Sequence, residues 1–337
     1  MADHIDIVLH GLGAIGSFYA FILSRSGRVR LTVVARSNYE AVQANVSVSL
    51  ENRCLDINRC ARKGITIDSQ NHGRHVVRPH RVVKSVADLT PVDYIVCTHK
   101  AIDQDKVAAQ LQPAVDSRTT IVIIQNGVGN EEPFRTQFPQ ASIISCTTWV
   151  GATQTSPGIV EHTKSEDMQI GLFPNPTLEA GIEQQRLKRF TDLLQTGQTQ
   201  FQVVENVQIQ RWEKAVWNAA WNSLSTLAMV DNHEWLHSSE DAIPFTRQLM
   251  QEVITIARGC GVPLEDGLVD THMDKIDAMP RRGSSMQLDC KCGRPMEIDV
   301  ILGFPVRKSR ELGIQAPRLE TLYVLLRAID ARLRAAQ

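Results

Sequence analysis

The chain has 337 residues and lacks any apolar run approaching the roughly 18–20 residues a membrane-spanning helix needs. It also lacks an excess of either charge: 36 basic and 37 acidic residues leave a formal charge of −1. No global field therefore argues for a nucleic-acid or membrane-surface partner. Cysteines number seven, an odd count spread along the chain. Cys290-x-Cys292 and Cys54-x5-Cys60 have no second pair or histidines at zinc-ligand spacing, so reduced thiols and no metal are expected. Met1-Ala2-Asp3-His4 carries neither a secretory leader nor an amphipathic presequence, which makes a cytoplasmic address the expectation. What is present, 43% hydrophobic and 22% charged residues, suits a globular protein of two domains.

The first part of the chain alternates between strand and helix signals. Ile5-Asp6-Ile7-Val8-Leu9 is a short β-rich run that ends at glycines. Residues 17–26 then carry Phe18, Phe21 and Ile22 at helical spacing before Gly27. Leu31-Thr32-Val33-Val34 predicts a second strand, and a helix is expected over 103–111. Tyr94-Ile95-Val96-Cys97 and Ile121-Val122-Ile123-Ile124 are the near-continuous apolar runs of parallel strands covered on both faces. The expectation is a doubly wound α/β, Rossmann-type domain over 1–205. From residue 206 to 337 helical periodicity dominates, over 212–229, 243–258 and 319–333, and an all-α domain is expected.

Between the first strand and helix stands Gly11-Leu12-Gly13-Ala14-Ile15-Gly16. A GxGxxG pattern alone is weak, but one that follows a strand and opens a helix is a dinucleotide fingerprint. Its glycines allow the tight turn, the approach of a pyrophosphate and close helix–strand packing, and the helix start favours the phosphate charge. An NAD site usually places an acid after the second strand to bind the ribose hydroxyl. Ala35-Arg36-Ser37 stands there instead, and a guanidinium suits the 2′-phosphate of NADPH.

In the second domain, Lys214, Asn218 and Asn222 are spaced i, i+4, i+8, which aligns them on one helix face. Asparagine is a poor helix-interior residue, so the row is expected to face something polar, a solvated surface being the alternative. Trp217 and Trp221 flank it, most simply as core. Gly283-Ser284-Ser285 followed by Asp289, Glu297 and Asp299 reads as an anion-binding helix start or an ordinary cap. His99 and His233 are further acid–base candidates, although isolated histidines are usually structural.

These pieces, with Lys100, Gln125-Asn126-Gly127, Thr147-Thr148 and Gly158…His162…Gly171, occur in the order in which the ketopantoate reductase (2-dehydropantoate 2-reductase) family carries them, and nearly the whole chain resembles that family. The resemblance implies a Rossmann domain followed by a helical domain like the C-terminal domain of 6-phosphogluconate dehydrogenase, with the active site in the cleft between. It implies a catalytic role for Lys214 and for Glu297, the latter also close to the cofactor, and substrate binding by Asn218, Asn222 and Ser285. Lys100 and Asn126 would lie near the nicotinamide and its ribose. The implied cofactor is NADPH, the partner a small 2-oxo acid or related carbonyl compound, and the assembly a monomer or homodimer. The implied reaction reduces 2-dehydropantoate to (R)-pantoate, toward pantothenate and coenzyme A. Reduction of another ketone or an imine, and non-catalytic NADPH sensing, are the competing readings. A sensor has no need of a proton donor, which counts against the last.

Two departures stand out. Arg281-Arg282-Gly283 precedes the double serine where the family often has asparagine. After the second strand, the eighteen residues 46–63 are polar and irregular, and are expected to be an insertion, either a surface loop or a retained intron translated in frame.

Overall fold

A computed structural model of the protein describes residues 4–43 and 64–335. The expected insertion over 46–63 lies outside the described residues, as do Cys54 and Cys60. The chain divides into two compact units, Met1–Gln125 with Glu131–Val207, and Asn126–Asn130 with Gln208–Gln337.

The first unit is built on a sheet of eight strands, counted among the described residues. They are Ile5–His10 (β1), Val29–Val34 (β2), Arg81–Val83 (β5), Tyr94–Cys97 (β6), Thr120–Ile124 (β7), Ser142–Thr148 (β8), Met168–Phe173 (β11) and Gln202–Val203 (β12). The order is β12-β11-β8-β7-β6-β1-β2-β5, parallel throughout except where β11 runs against β8. Every residue of β6, β7 and β8 is buried, the reason Tyr94–Cys97 and Ile121–Ile124 run apolar without alternation. The chain leaves β1 for β2 on one side and later returns to β6 on the other. The carboxyl end of β1 is thus a topological switch point, where open α/β sheets bind ligands.

A second sheet was not anticipated from the sequence. Ile65–Ser69 (β3), Gly73–Val77 (β4), Ala152–Ser156 (β9) and Ile159–His162 (β10) pair in the order β4-β3-β10-β9. The helix Ala14–Ser24 (α1) packs against strands of both sheets. Gly16 through Leu23 are all buried, as expected of a helix whose surroundings are apolar all round. The amphipathic reading from Phe18, Phe21 and Ile22 therefore undercounts its contacts. Tyr19 hydrogen-bonds Thr148 at 2.6 Å, and the Phe18 ring lies 4.5 Å from that of His162.

The remaining helices of this unit are Tyr39–Gln43 (α2), Gln104–Gln110 (α3), Glu131–Gln137 (α4) and Ala180–Thr196 (α5). The second unit contributes Val207–Ala228 (α6), Asn232–Leu236 (α7), Ala242–Gly259 (α8), Leu268–Asp277 (α9), Ser285–Lys291 (α10), Phe304–Leu312 (α11) and Pro317–Ala335 (α12). No helix among the described residues is long and apolar enough to cross a membrane.

One local irregularity positions a key segment. Asp299–Gly303 forms a π-helical turn ahead of α11. Within it the Phe304 N–H bonds Asp299 O, one residue further back than in an α-helix. Pro305 has no N–H to give. The Val300 carbonyl is thereby left without a helical donor, and it accepts the Val128 N–H at 3.0 Å. This captures residues 126–130, which the sequence alone assigns to the sheet domain, into the helical unit.

Candidate functional site

In the first unit the features expected to hold a cofactor cluster at the carboxyl ends of β1, β2 and β6. Gly11 has φ +103°, and a Cβ there would collide with the His99 backbone; one on Gly16 would collide with Gly11 O and come within 2.7 Å of Thr98 Oγ1. These glycines close the turn upon itself. Gly13 differs: a Cβ there would meet nothing within 4 Å. It is the N-cap of α1, no side chain caps the helix, and its first turn holds no acid. The helix start thus offers unpaired N–H donors and open space, and these residues fit a dinucleotide pyrophosphate.

Arg36 follows β2 and is exposed, and among the described residues its guanidinium has no carboxylate partner. Asn38, two residues on, is buried and donates from Nδ2 to Leu12 O and to Gln154 Oε1 at 2.9 Å. It fastens the Arg36 turn to the glycine turn. Sequence reading passed over Asn38, though its place in the turn after β2 was the available signal. Lys100 is exposed just beyond β6.

Sequence reading also missed a buried relay below the turn. His10 Nδ1 lies 3.0 Å from His99 Nδ1, and His99 Nε2 lies 3.0 Å from Gln104 Oε1. Gln104 Nε2 donates to Gln125 Oε1 at 2.8 Å, and Gln125 Nε2 donates to His99 O at 2.7 Å. Burial pushes the His99 imidazole down to about 4, with the Arg36 charge acting in the same direction. His99 therefore holds no imidazolium proton at neutral pH, and both its ring nitrogens are engaged by His10 and Gln104, which gives the ring a structural place in the relay.

In the second unit, the row along α6 is turned inward. Asn218 and Asn222 are buried, so the solvated-face alternative fails. Asn218 Nδ2 is buried with no hydrogen-bond partner, a state that costs free energy unless a ligand supplies an acceptor. Trp217 and Trp221 pack edge to face, with ring centroids 5.7 Å apart, and both are core. Lys214 keeps limited access to solvent, yet the protein around its ammonium disfavours the charged form. Burial pushes it down to about 7, assisted by Arg211 and Lys275 and opposed by Glu297.

Asn126 joins this group through the captured segment. Gly127, at φ +90°, presses against Val300 so closely that a Cβ would overlap it, and Arg211 Nη1 donates to Gly127 O at 2.9 Å. Asn126 Nδ2 can then donate to Glu297 at 3.3 Å. Arg211 was not among the expected site residues, although it stands three before Lys214. Lys214, Glu297 and Asn126 are thus brought together, and Glu297 sits in the loop immediately before the π-helical turn.

Ser285 is exposed in the first turn of α10. Its neighbour Ser284 does the structural work, capping the helix through Gln287 N at 3.1 Å and accepting the Ser225 hydroxyl of α6 at 2.8 Å. Arg281 and Arg282 are exposed ahead of it. His233 Nε2 is engaged by Met279 O at 3.0 Å, a structural role. Cys290 and Cys292 are free thiols, and no metal-ligating cluster occurs among the described residues.

Both units have counterparts among known proteins. Residues 7–175 match the family described as ketopantoate reductase PanE/ApbA, and residues 206–330 match its C-terminal part. The crystal structure of 2-dehydropantoate 2-reductase from Methylococcus capsulatus is 33% identical, covers 98% of each chain and superposes with a TM-score of 0.81. The 2-dehydropantoate 2-reductase of Nostoc sp. is 25% identical, covering 97% of this chain and 96% of its own. An uncharacterised protein of Saccharomyces cerevisiae is 27% identical over 97% of this chain and 94% of its own. With these matches spanning both units, the chain belongs to the ketopantoate reductase family and is an oxidoreductase that uses a nicotinamide cofactor on a small-molecule substrate.

Proposed function

We propose that the protein reduces 2-dehydropantoate to (R)-pantoate with NADPH, a step toward pantothenate and coenzyme A. The observation that carries this reading is the Lys214–Glu297–Asn126 group, whose ammonium is poised near neutrality. Bound at the glycine turn, the cofactor supplies a hydride to the substrate's carbonyl carbon. Charge then develops on the carbonyl oxygen, and Lys214 Nζ stabilises it and delivers the proton. A group with a pKa near the working pH both gives a proton and regains one readily. Glu297 holds the ammonium charged against the burial and the neighbouring cations, and Asn126 holds Glu297. Asn218 offers its unpartnered Nδ2–H to a substrate oxygen, with Asn222 and Ser285 as further polar contacts for the hydroxyl and carboxylate. Lys100 serves the nicotinamide ribose.

The choice of NADPH rests on Arg36, a cation without a carboxylate partner where an NAD site carries an acid. The substrate is supported by the Methylococcus and Nostoc relatives that bear its reductase's name. The test is NADPH oxidation by the purified protein with 2-dehydropantoate and a panel of other 2-oxo acids. The expected outcome is highest kcat/KM for 2-dehydropantoate. No rate with it, and a rate with another ketone, would move the acceptor elsewhere and make Arg281-Arg282 the first place to look for the difference.

A further inference from the structure

The histidine relay has a fixed direction. The carbonyl of His99 can only accept, so Gln125 must present its amide N–H there, at 2.7 Å. Gln125 Oε1 therefore faces Gln104 Nε2, and Gln104 Oε1 faces His99 Nε2. An amide oxygen only accepts, so His99 carries its hydrogen on Nε2. Burial holds His99 neutral, which leaves its Nδ1 a bare lone pair. His10 must then donate from Nδ1 across the 3.0 Å contact. If His10 is also neutral, its Nε2 is a lone pair. Burial, His99 and Arg36 all act against protonating it. Among the described residues His10 Nε2 has no hydrogen-bond partner, and it is not among the enclosed unsatisfied atoms. His10 is half-buried as the last residue of β1, directly before Gly11, and lies within range of the Arg36 charge.

An acceptor-only nitrogen beside an uncommitted guanidinium is a poor place for a phosphate dianion, because lone pair would face anionic oxygen. Switching the His10 tautomer would relieve this, but the relay forbids it: His99 would have to release Gln104, and both glutamines would turn. We infer that His10 is the second half of the 2′-phosphate site, and that one proton is taken up from solvent, shared between His10 Nε2 and a phosphate oxygen, when a 2′-phosphorylated cofactor binds beside Arg36. No covalent bond changes; the proton is the only species gained. The charged group acting on His10 is Arg36 after β2 and the other titratable group is the neutral His99 ring after β6, and the incoming phosphate reverses the bias the first of these imposes. This inference rests on the NADPH reading given above.

Linkage fixes the sign of the effect. A complex that holds more protons than its free components tightens as pH falls. A site made by Arg36 alone predicts the reverse, since it prefers the dianion and weakens as pH drops through the phosphate's second pKa near ~6. The experiment is titration calorimetry of the whole protein with NADPH and with NADH, in two buffers of different ionisation heat, from pH 6 to 8.5. The expected result is uptake of close to one proton with NADPH and none with NADH, and NADPH affinity that rises roughly 20-fold from pH 8 to 6.5. His10→Leu should keep the preference for NADPH but lose the uptake. His99→Leu should lose it too, because His10 is then free to change tautomer. Tighter binding of NADPH than NADH with no uptake, or with proton release, overturns this inference alone. Equal binding of the two cofactors overturns the NADPH reading with it. The wild-type pair of titrations decides both points even where a variant fails to fold.

Discussion

The start of α1 and the middle of α6, the two halves of the proposed site, would hold charge in place by opposite means. At α1 the site is made of backbone: glycines that bring the chain close, N–H groups left uncapped, and no side chain in the way. At α6 it is made of side chains, an ammonium, asparagines and a nearby carboxylate enclosed by protein. A backbone site fails through shape and keeps its charge at any pH. A side-chain site fails through charge balance and is set by pH. The fold reflects the same division, since α1 is clamped between two sheets while Glu297 and Asn126 depend on a single irregular turn at Asp299–Gly303.

The largest effect should come from α6. Lys214→Ala is expected to lower kcat by about 10³-fold, within the range general acids contribute, while cofactor affinity measured by fluorescence titration stays within about threefold. An equal loss of affinity would mean that the lysine serves binding instead. The glycine turn should separate two kinds of damage. Gly16→Ala places a Cβ against Gly11 O, so both the melting temperature and cofactor binding should collapse. Gly13→Ala meets open space, so melting should be unchanged while cofactor binding weakens. Matching behaviour of the two variants would contradict the shape argument. Arg36→Ala should weaken NADPH by about 10–100-fold, the worth of a charge-assisted pair, and leave NADH nearly unaffected. The smallest effect concerns Ser284→Ala, which removes a cap and the bond to Ser225. It should cost about 1 kcal/mol of stability, seen by denaturant titration, with kcat changed less than KM.

What could be read in the sequence follows the same contrast. The glycine turn and Arg36 are local, and the Lys214–Asn218–Asn222 row is written at one helical spacing, so both were visible. The three long helices of the second unit, α6, α8 and α12, were expected close to where they lie, and the shorter ones between them were not. Tertiary features were not visible. The second sheet is assembled from β3, β4, β9 and β10, short strands separated by some seventy residues of other structure, and none carries a strong apolar run. The His10–His99–Gln104–Gln125 relay joins the ends of three strands and the start of α3, and no spacing in the sequence encodes it. The capture of 126–130 depends on Pro305 removing one N–H from a π-helical turn, a consequence that appears only once Phe304 is seen bonding Asp299.

The most direct test of the account is the pH profile of 2-dehydropantoate reduction at saturating NADPH, in the wild type and in Glu297→Gln. In the proposed mechanism Lys214 donates the proton, so reduction requires its ammonium form, and the rate should fall as pH rises through about 7. Glu297 raises the lysine's pKa, so its neutralisation should move that limb to lower pH. A rate independent of pH from 6 to 9, or a limb that Glu297→Gln leaves in place, would contradict the account.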